Sequence, residues 1–274
     1  MGLKVPLMED QYVETVLGRI HLRVGGEGPA MVCWPSLLMD GTLWNAQAAY
    51  FADRFRVVLV DPPGHGGSSP LTREFSFTEC AQVVVQILDA LGIDRAHLLG
   101  NSWGGMIGGT FAALHPDRID RAVLMNATAS PAGLRHRLEY PMLVVTARLL
   151  GGLRGPLVGP VRDAFLGPTS KRDRPECVAF VNDLASQADV GSVRHAVTSV
   201  VPKRPDQREL FGSIKAPVLV VAGREDATFP VAESRAMADA IPGARFAVLE
   251  NTAHLAALEN PVEVNSLIED FLVQ

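Results

Sequence analysis

Residues 100–105 read Gly100-Asn101-Ser102-Trp103-Gly104-Gly105. The apolar run Ala96–Gly100 precedes Ser102 and predicts a strand, and the segment Trp103–His115 predicts a helix that Pro116 ends. A serine with a glycine two residues away on each side, between a strand and a helix, is typical of a tight turn that lifts the serine hydroxyl above a sheet. The glycines are needed because backbones crowd at such a turn. The pattern therefore indicates that Ser102 is a nucleophile.

The sequence around this turn alternates short apolar runs with longer periodic segments. The run Arg56–Val60 is continuously apolar, as in strands that are covered on both faces. Ser76 and Glu79 have the spacing of a capping box, which predicts a helix that ends near Gly92. The order predicts an α/β fold: a mostly parallel sheet with helices on both faces, preceded by a hairpin within residues 11–24.

The alternation stops between a predicted strand at residues 121–126 and the next one at residues 217–222. The intervening residues 131–212 contain no clear strand and are rich in Leu, Arg, Gly and Pro, which predicts short helices joined by linkers. We therefore expect an α/β core formed by residues 1–130 and 213–274, with residues 131–212 as a helical cap over it.

Composition excludes several classes of protein. Of the 274 residues, 47% are hydrophobic and 20% are charged, which excludes a disordered chain. The net charge of −5 and the lack of a basic run argue against a nucleic-acid partner. Three widely spaced cysteines predict neither a disulfide framework nor a metal site. The N-terminus lacks the pattern of a secretory leader, and the most apolar stretch contains arginines, so we expect a cytoplasmic protein without a membrane partner.

A serine hydroxyl is a poor nucleophile at neutral pH, so Ser102 needs a general base to take its proton. His254 follows the predicted strand Arg245–Leu249, and of the seven histidines it alone lies downstream of the serine at the end of a strand. The usual order along the chain is serine, acid, histidine, and His254 satisfies it. We therefore predict that His254 is the base.

The base in turn needs an acid to orient it. The loop after the predicted strand at residues 217–222 offers two carboxylates, Glu225 and Asp226. The residue after the preceding strand is Asn126, which cannot carry the negative charge that stabilises an imidazolium. The acid is therefore expected in the later loop.

Taken together, these motifs resemble the α/β-hydrolase superfamily over nearly the whole chain. The matching segments, in chain order, are Asp61–Ser68, Gly100–Gly105, His115–Arg118, Gly223–Asp226, and His254 with Glu259–Pro261. The resemblance implies that Asp226, rather than Glu225, completes a triad with Ser102 and His254. It also implies chemistry without a metal or an organic cofactor.

The resemblance further implies an oxyanion hole made of two backbone N–H groups. The residue after the nucleophile, Trp103, supplies one of them. The other comes from the loop that begins at Trp34, which reads Trp-Pro-Ser-Leu where many relatives have His-Gly. Alignment of this loop with that of the relatives implies that Leu37 is the second donor, and Pro35, which has no N–H, cannot donate. Trp34 and Asn101 are expected to border the substrate pocket.

These features predict a serine hydrolase that cleaves a carboxylic ester or lactone through an acyl-enzyme. The loop Ser36–Asp40, with Trp44 after it, is similar to that of 3-oxoadipate enol-lactone hydrolases and small esterases. Three alternatives stay open: a carbon–carbon bond hydrolase acting on a diketone-like substrate, a cofactor-free haloperoxidase or perhydrolase, and a ligand receptor on the same fold. The expected partner is a small ester or lactone, and a homodimer is left open.

Overall fold

The computed structural model describes residues 8–272, apart from the side chains of residues 135–137 and 141. Residues 1–7, within the segment where the sequence predicts no secretory leader, lie outside the described residues. The strands are β1 (Glu9–Thr15), β2 (Gly18–Gly25), β3 (Ala30–Trp34), β4 (Arg56–Val60), β5 (Ala96–Asn101), β6 (Ile119–Met125), β7 (Val218–Gly223) and β8 (Arg245–Leu249).

These eight strands form one sheet in the order β1-β2-β4-β3-β5-β6-β7-β8. β2 pairs antiparallel with β1 and with β4, and all the other neighbours are parallel. Every residue of β3, β5 and β7 is buried, which explains why these strands are continuous apolar runs in the sequence. The predicted hairpin and mostly parallel sheet are confirmed.

Helices cover both faces of the sheet. Outside residues 131–212 they are α1 (Asn45–Phe51), α2 (Phe77–Ala90), α3 (Trp103–Leu114), α10 (Val231–Asp239), α11 (Ala256–Glu259) and α12 (Pro261–Leu272), with 3-10 turns at Gly41–Trp44 and Pro116–Arg118. One apolar cluster packs α2, α3 and α10 on the sheet, and a second packs α1, α11 and α12. The predicted capping box starts α2: Ser76 Oγ accepts the Glu79 N–H, and Glu79 Oε2 accepts the Ser76 N–H.

Residues 131–212, here called the helical insert, join β6 to β7. The insert consists of α4 (Leu134–Leu149), α5 (Val158–Phe165), α6 (Pro168–Asp173), α7 (Pro175–Gln187), α8 (Val190–Val200) and α9 (Arg208–Phe211), with a 3-10 turn at Gly155–Leu157. As the sequence predicts, it contains helices and no strand. Among the described residues, no helix has both the length and the apolar character needed to span a bilayer.

The parallel strands β3 and β5 to β8 all end at one edge of the sheet, because parallel strands share a direction. The loops that leave this edge carry Leu37, Ser102, Asn126, Asp226 and His254. The fold therefore brings together, at the carboxyl edge of the sheet, residues that lie up to about two hundred positions apart in the sequence.

Candidate active site

Ser102 occupies the turn between β5 and α3. Its backbone has φ 56° and ψ −111°, and its N–H donates to the Met125 carbonyl at 2.8 Å. A Cβ atom at Gly100 would collide with the backbone of Gly104, and one at Gly104 would collide with the carbonyl of Trp34. Both glycines are therefore required by close backbone contact, as the sequence predicts.

His254 lies in the loop between β8 and α11 and is only 2% exposed. Its Nε2 is 2.8 Å from Ser102 Oγ, and its Nδ1 is 2.8 Å from Asp226 Oδ2. With the proton on Nδ1, the ring donates to the carboxylate and its Nε2 is free to accept the serine proton. The structure thus brings together the three side chains that the sequence analysis selected.

The Asp226 carboxylate is held by donors on both oxygens. Oδ1 accepts the N–H groups of Thr228 at 2.8 Å and Phe229 at 3.0 Å. Oδ2 accepts Asn126 Nδ2 at 3.1 Å in addition to the imidazole. These hydrogen bonds fix the direction of the oxygen that faces the ring. Asn126 therefore supports Asp226 through a hydrogen bond, although its own amide carries no charge and cannot act as the acid.

Glu225, the other carboxylate of this loop, points toward the helical insert. It accepts the N–H of Thr169 at 2.9 Å and the Thr169 hydroxyl at 2.5 Å. Glu225 therefore anchors the start of α6 and does not contact the imidazole.

Glu259 is a buried carboxylate beside the histidine loop. Its Oε1 accepts the N–H groups of Ala253 at 3.1 Å and Leu255 at 2.9 Å, which flank His254. Its Oε2 accepts the Ser170 hydroxyl of the insert at 2.5 Å. Burial raises the pKa of Glu259, against these hydrogen bonds. Glu259 belongs to a segment that resembles the family, but its hydrogen bond to Ser170 joins parts of the chain that only the fold brings together.

The two backbone donors expected in the oxyanion hole are both available. Within residues 8–272, neither the Leu37 N–H nor the Trp103 N–H donates to another group. The Pro35 carbonyl accepts the Gly104 N–H at 3.2 Å, which ties the Leu37 loop to the first turn of α3. Trp103 begins that helix, so its N–H has no partner within the helix.

His65, in the loop after β4, holds the Leu37 loop from the other side. Its Nε2 accepts the Leu38 N–H at 3.1 Å, and its Nδ1 lies 3.0 Å from the Pro63 carbonyl. This arrangement requires a neutral ring with the proton on Nδ1. Burial lowers the pKa of His65, which favours the same neutral form. Nothing in the sequence around His65 points to this contact, because Leu38 lies on a different loop.

A cavity of about 190 Å³ opens beside Ser102 and His254. Its wall includes Leu37 and Met106 from the core and many side chains of the helical insert. Most of these are aliphatic. The insert residues on the wall are Tyr140, Leu143, Val144, Ala147, Leu153, Leu157, Pro160, Val161, Ala164, Phe165, Val190, Val193, Arg194, Val197, Val200, Val201 and Arg204.

Trp34 and Asn101 do not line this cavity, contrary to the expectation from sequence. Both side chains are fully buried beneath it. Asn101 Nδ2 donates to Ser36 Oγ at 2.8 Å and to the His254 carbonyl at 2.7 Å, so it braces the site. The Trp34 ring packs edge-on against Trp103, with ring centroids 5.6 Å apart. Both side chains are buried because β3 and β5 are central strands of the sheet.

Backbone strain is concentrated around this site. Among the described residues, four non-glycine residues have positive φ: Leu38 at 64°, Ser102 at 56°, Asn126 at 49° and Asn251 at 52°. The first three belong to the loops just described, and Asn251 precedes the histidine loop. In the left-handed region such residues cost free energy and persist only where the surroundings hold them.

Metal-binding side chains do not cluster in the part of the chain that the structure describes. No group of three or more His, Cys, Asp or Glu side chains there could hold a metal ion. Cys33, Cys80 and Cys177 are buried and free.

Comparison with known proteins gives consistent matches. Residues 29–147 match the model of the alpha/beta hydrolase fold, and residues 191–274 match that of a TAP-like protein. A 2-hydroxy-6-oxononadienedioate/2-hydroxy-6-oxononatrienedioate hydrolase of Paraburkholderia phymatum is 30% identical, over 91% of this chain and 85% of its own. The 3-oxoadipate enol-lactonase 2 of Acinetobacter baylyi is 29% identical, over 88% and 87%. The crystal structure of the enol-lactonase from Burkholderia xenovorans matches with a TM-score of 0.89 at 28% identity, over 96% and 100%.

Proposed function

The chain belongs to the α/β-hydrolase family, and from this we propose that it is a serine hydrolase that cleaves a carboxylic ester or lactone through an acyl-enzyme. One observation carries the proposal: Ser102, His254 and Asp226 form a continuous hydrogen-bonded chain in which both contacts are 2.8 Å. These three side chains are buried, and Ser102 and His254 form part of the cavity wall. A substrate carbonyl in the cavity can therefore reach the serine oxygen.

In the first half of the reaction, Ser102 Oγ attacks the carbonyl carbon while His254 Nε2 takes the hydroxyl proton. The resulting oxyanion accepts the N–H groups of Leu37 and Trp103. The carbon–oxygen bond to the alkoxide then breaks, and His254 returns its proton to the departing oxygen. Asp226 keeps the imidazole in the required tautomer and stabilises the imidazolium that forms.

In the second half, water replaces the alcohol. His254 takes a proton from the water as its oxygen attacks the acyl carbon, and the bond to Ser102 breaks as His254 protonates the serine oxygen. The products are a carboxylic acid and an alcohol, or a single hydroxy or keto acid when the substrate is a lactone. In this proposal the helical insert acts as a cap that shapes the acyl pocket.

The named lactonases among the similar proteins support the choice of ester or lactone. A second candidate follows from the relative named as a 2-hydroxy-6-oxononadienedioate hydrolase. It is hydrolysis of a carbon–carbon bond in a vinylogous diketone by the same three side chains. Assaying the protein on both substrate types separates the two candidates, because loss of a dienone absorbance reports only the second.

Ser102→Ala tests the mechanism directly. With short p-nitrophenyl esters we expect kcat to fall by at least about 10³-fold, because the nucleophile is removed. Ser186→Ala is the matched control, since Ser186 is exposed in the insert. A fluorophosphonate should label the wild type once per chain and leave Ser102→Ala unlabelled. Retention of a tenth or more of the wild-type rate by Ser102→Ala would contradict the proposal.

Labelling, turnover counting and a peroxide competition assay distinguish the remaining alternatives. A ligand receptor on this fold would be labelled stoichiometrically but would show at most one turnover. A perhydrolase would release peracid when hydrogen peroxide competes with water for the acyl-enzyme. Multiple turnovers with carboxylic acid as the product are the outcome expected of a hydrolase.

A further inference from the structure

The cavity beside Ser102 contains a buried cation. Arg204 follows α8, is 5% exposed, and forms part of the cavity wall. The wall near it in the sequence is aliphatic, with Val197, Val200 and Val201. A guanidinium is an unusual group in such a setting, because long charged side chains are almost never fully buried without a partner.

The contacts of Arg204 use little of its hydrogen-bonding capacity. Its Nε donates to the Ser130 carbonyl at 2.9 Å. Its guanidinium carbon lies 5.3 Å from the ring centroid of Phe229, which is another residue of the cavity wall. A guanidinium has five N–H groups, four of them on the two terminal nitrogens. None of these four has an acceptor among the described residues.

Two titratable groups, Glu233 and Tyr140 of the cavity wall, act on the charge of Arg204, and Glu233 does not pair with it. Glu233 accepts the Thr128 hydroxyl at 2.9 Å and forms no ion pair with a described residue. Burial lowers the pKa of Arg204, and Glu233 and Tyr140 together offset only part of this lowering. The guanidinium stays protonated because its ordinary pKa is far above neutrality. Removing a charge from water is costly unless a partner compensates it.

We infer that Arg204 binds a carboxylate at the far end of the acyl part of the substrate. The substrate class is then the monoester, or the lactone acid, of a dicarboxylic acid. The inference rests on the proposed function, since it places the ester carbonyl at Ser102. The planar guanidinium fits a carboxylate through two parallel hydrogen bonds, and the aliphatic wall fits the chain between the two ends.

Paired substrates test this inference. We would measure kcat/KM for p-nitrophenyl esters with acyl chains of four to eight carbons that end either in a carboxylate or in a methyl group. At its best length, the wild type should favour the carboxylate by at least tenfold. Arg204→Met should lower kcat/KM for that ester by at least about 30-fold and should change the methyl-ended ester by less than threefold. For the carboxylate-ended ester, the kcat/KM of Arg204→Lys should lie between those of the wild type and Arg204→Met. A lysine keeps the positive charge but cannot form the two parallel hydrogen bonds of a guanidinium.

Lys203→Met is the matched control. Lys203 is the neighbouring cation, is exposed, and pairs with Glu74 outside the cavity. Its substitution should leave the preference for the carboxylate unchanged.

Two results would overturn the inference: a wild-type preference for the methyl-ended ester at every length, or an equal loss on both esters in Arg204→Met. The wild-type preference needs no variant, so it decides the matter even where Arg204→Met does not fold. If the wild type hydrolyses neither series and Ser102 resists labelling, the proposed function itself fails. Hydrolysis of the methyl-ended series alone leaves that function standing and removes only the role of Arg204.

Discussion

The imidazole Nε2 of His65 accepts the backbone N–H of Leu38 at 3.1 Å. Leu38 has a positive φ of 64° and directly follows Leu37, whose N–H we assign to the oxyanion hole. A side chain from the loop after β4 therefore fixes the backbone of the loop after β3. His65 acts through Leu38 on the direction of the Leu37 N–H and is a positioning residue.

His65→Leu removes the acceptor and should lower kcat by about 10- to 100-fold, with KM changed less than threefold. The expected loss is smaller than the 10²–10³-fold cost typical of removing an oxyanion donor, because the donor is misdirected and not deleted. Steady-state kinetics on a p-nitrophenyl ester measure both constants. His115→Gln, at the end of α3, is the control. An unchanged kcat in His65→Leu would contradict the positioning role.

The same histidine predicts a pH dependence of stability. Burial lowers the pKa of His65 below 6.5 in the native state, so the unfolded chain takes up a proton at higher pH than the native chain. Its contribution is therefore fully present above pH 6.5 and is lost as the pH falls through the native pKa. Urea unfolding of wild type and His65→Leu should show a difference in free energy of unfolding that shrinks as the pH falls from 7.5 to 5.5. A constant difference would show that His65 does not titrate as described.

Asn126 offers a way to test the acid. Asp226→Asn should lower kcat by about 10²- to 10⁴-fold, because the imidazole loses its orienting charge. Asn126 Nδ2 lies 3.1 Å from the Asp226 oxygen that faces the ring. The double variant Asn126→Asp/Asp226→Asn should therefore have a kcat at least tenfold higher than that of Asp226→Asn alone. The double variant remaining as slow as the single one would mean that a carboxylate at position 126 cannot reach the imidazole.

Glu259 predicts a trend of opposite sign to that of His65. Burial raises its native pKa above 4.5, so its favourable contribution is present below pH 4.5 and is lost as the pH rises through the raised value. Glu259→Gln cannot ionise. Its free energy of unfolding relative to wild type should therefore increase between pH 4.5 and 7.5, as measured by urea unfolding. Glu263→Gln, an exposed position on α12, should show no such trend.

The turn that carries Ser102 predicts a strict requirement for glycine. Gly104→Ala would place a methyl group against the Trp34 carbonyl, so we expect insoluble protein or a melting temperature at least 10 °C lower. Gly133→Ala is the control, because a Cβ there meets no atom within 4 Å and its φ is −68°. Thermal unfolding of both variants gives the comparison. Equal stability of the two would mean that the turn can widen without cost.

The sequence predicts the fold well where local signals agree with it. Two elements lie where the sequence predicts them: the strand Arg56–Val60 and the helix that begins at the capping pair Ser76 and Glu79. An apolar run and a capping pair are local signals, because they involve residues close together in the sequence. Ser102 and His254 come together because chain order and the shared carboxyl edge leave few other arrangements.

Contacts between distant segments could not be predicted in this way. Arg204 lies in the polar stretch Lys203-Arg-Pro-Asp206, which has the character of an exposed loop, and its burial comes from packing beside the cavity. The sequence predicts Trp34 and Asn101 at the substrate pocket, but neither lines the cavity. Both side chains are buried instead, because they lie on central strands of the sheet.

The four non-glycine residues with positive φ have an evolutionary consequence. Each such conformation costs about 1–3 kcal/mol, and all four belong to or adjoin the loops of the candidate active site. A library screened for heat tolerance alone should accumulate glycine at Leu38, Ser102 and Asn251, and the variants that survive should be stable but inactive. Directed evolution of this scaffold therefore needs a turnover screen in every round, with thermostabilising changes sought far from these positions.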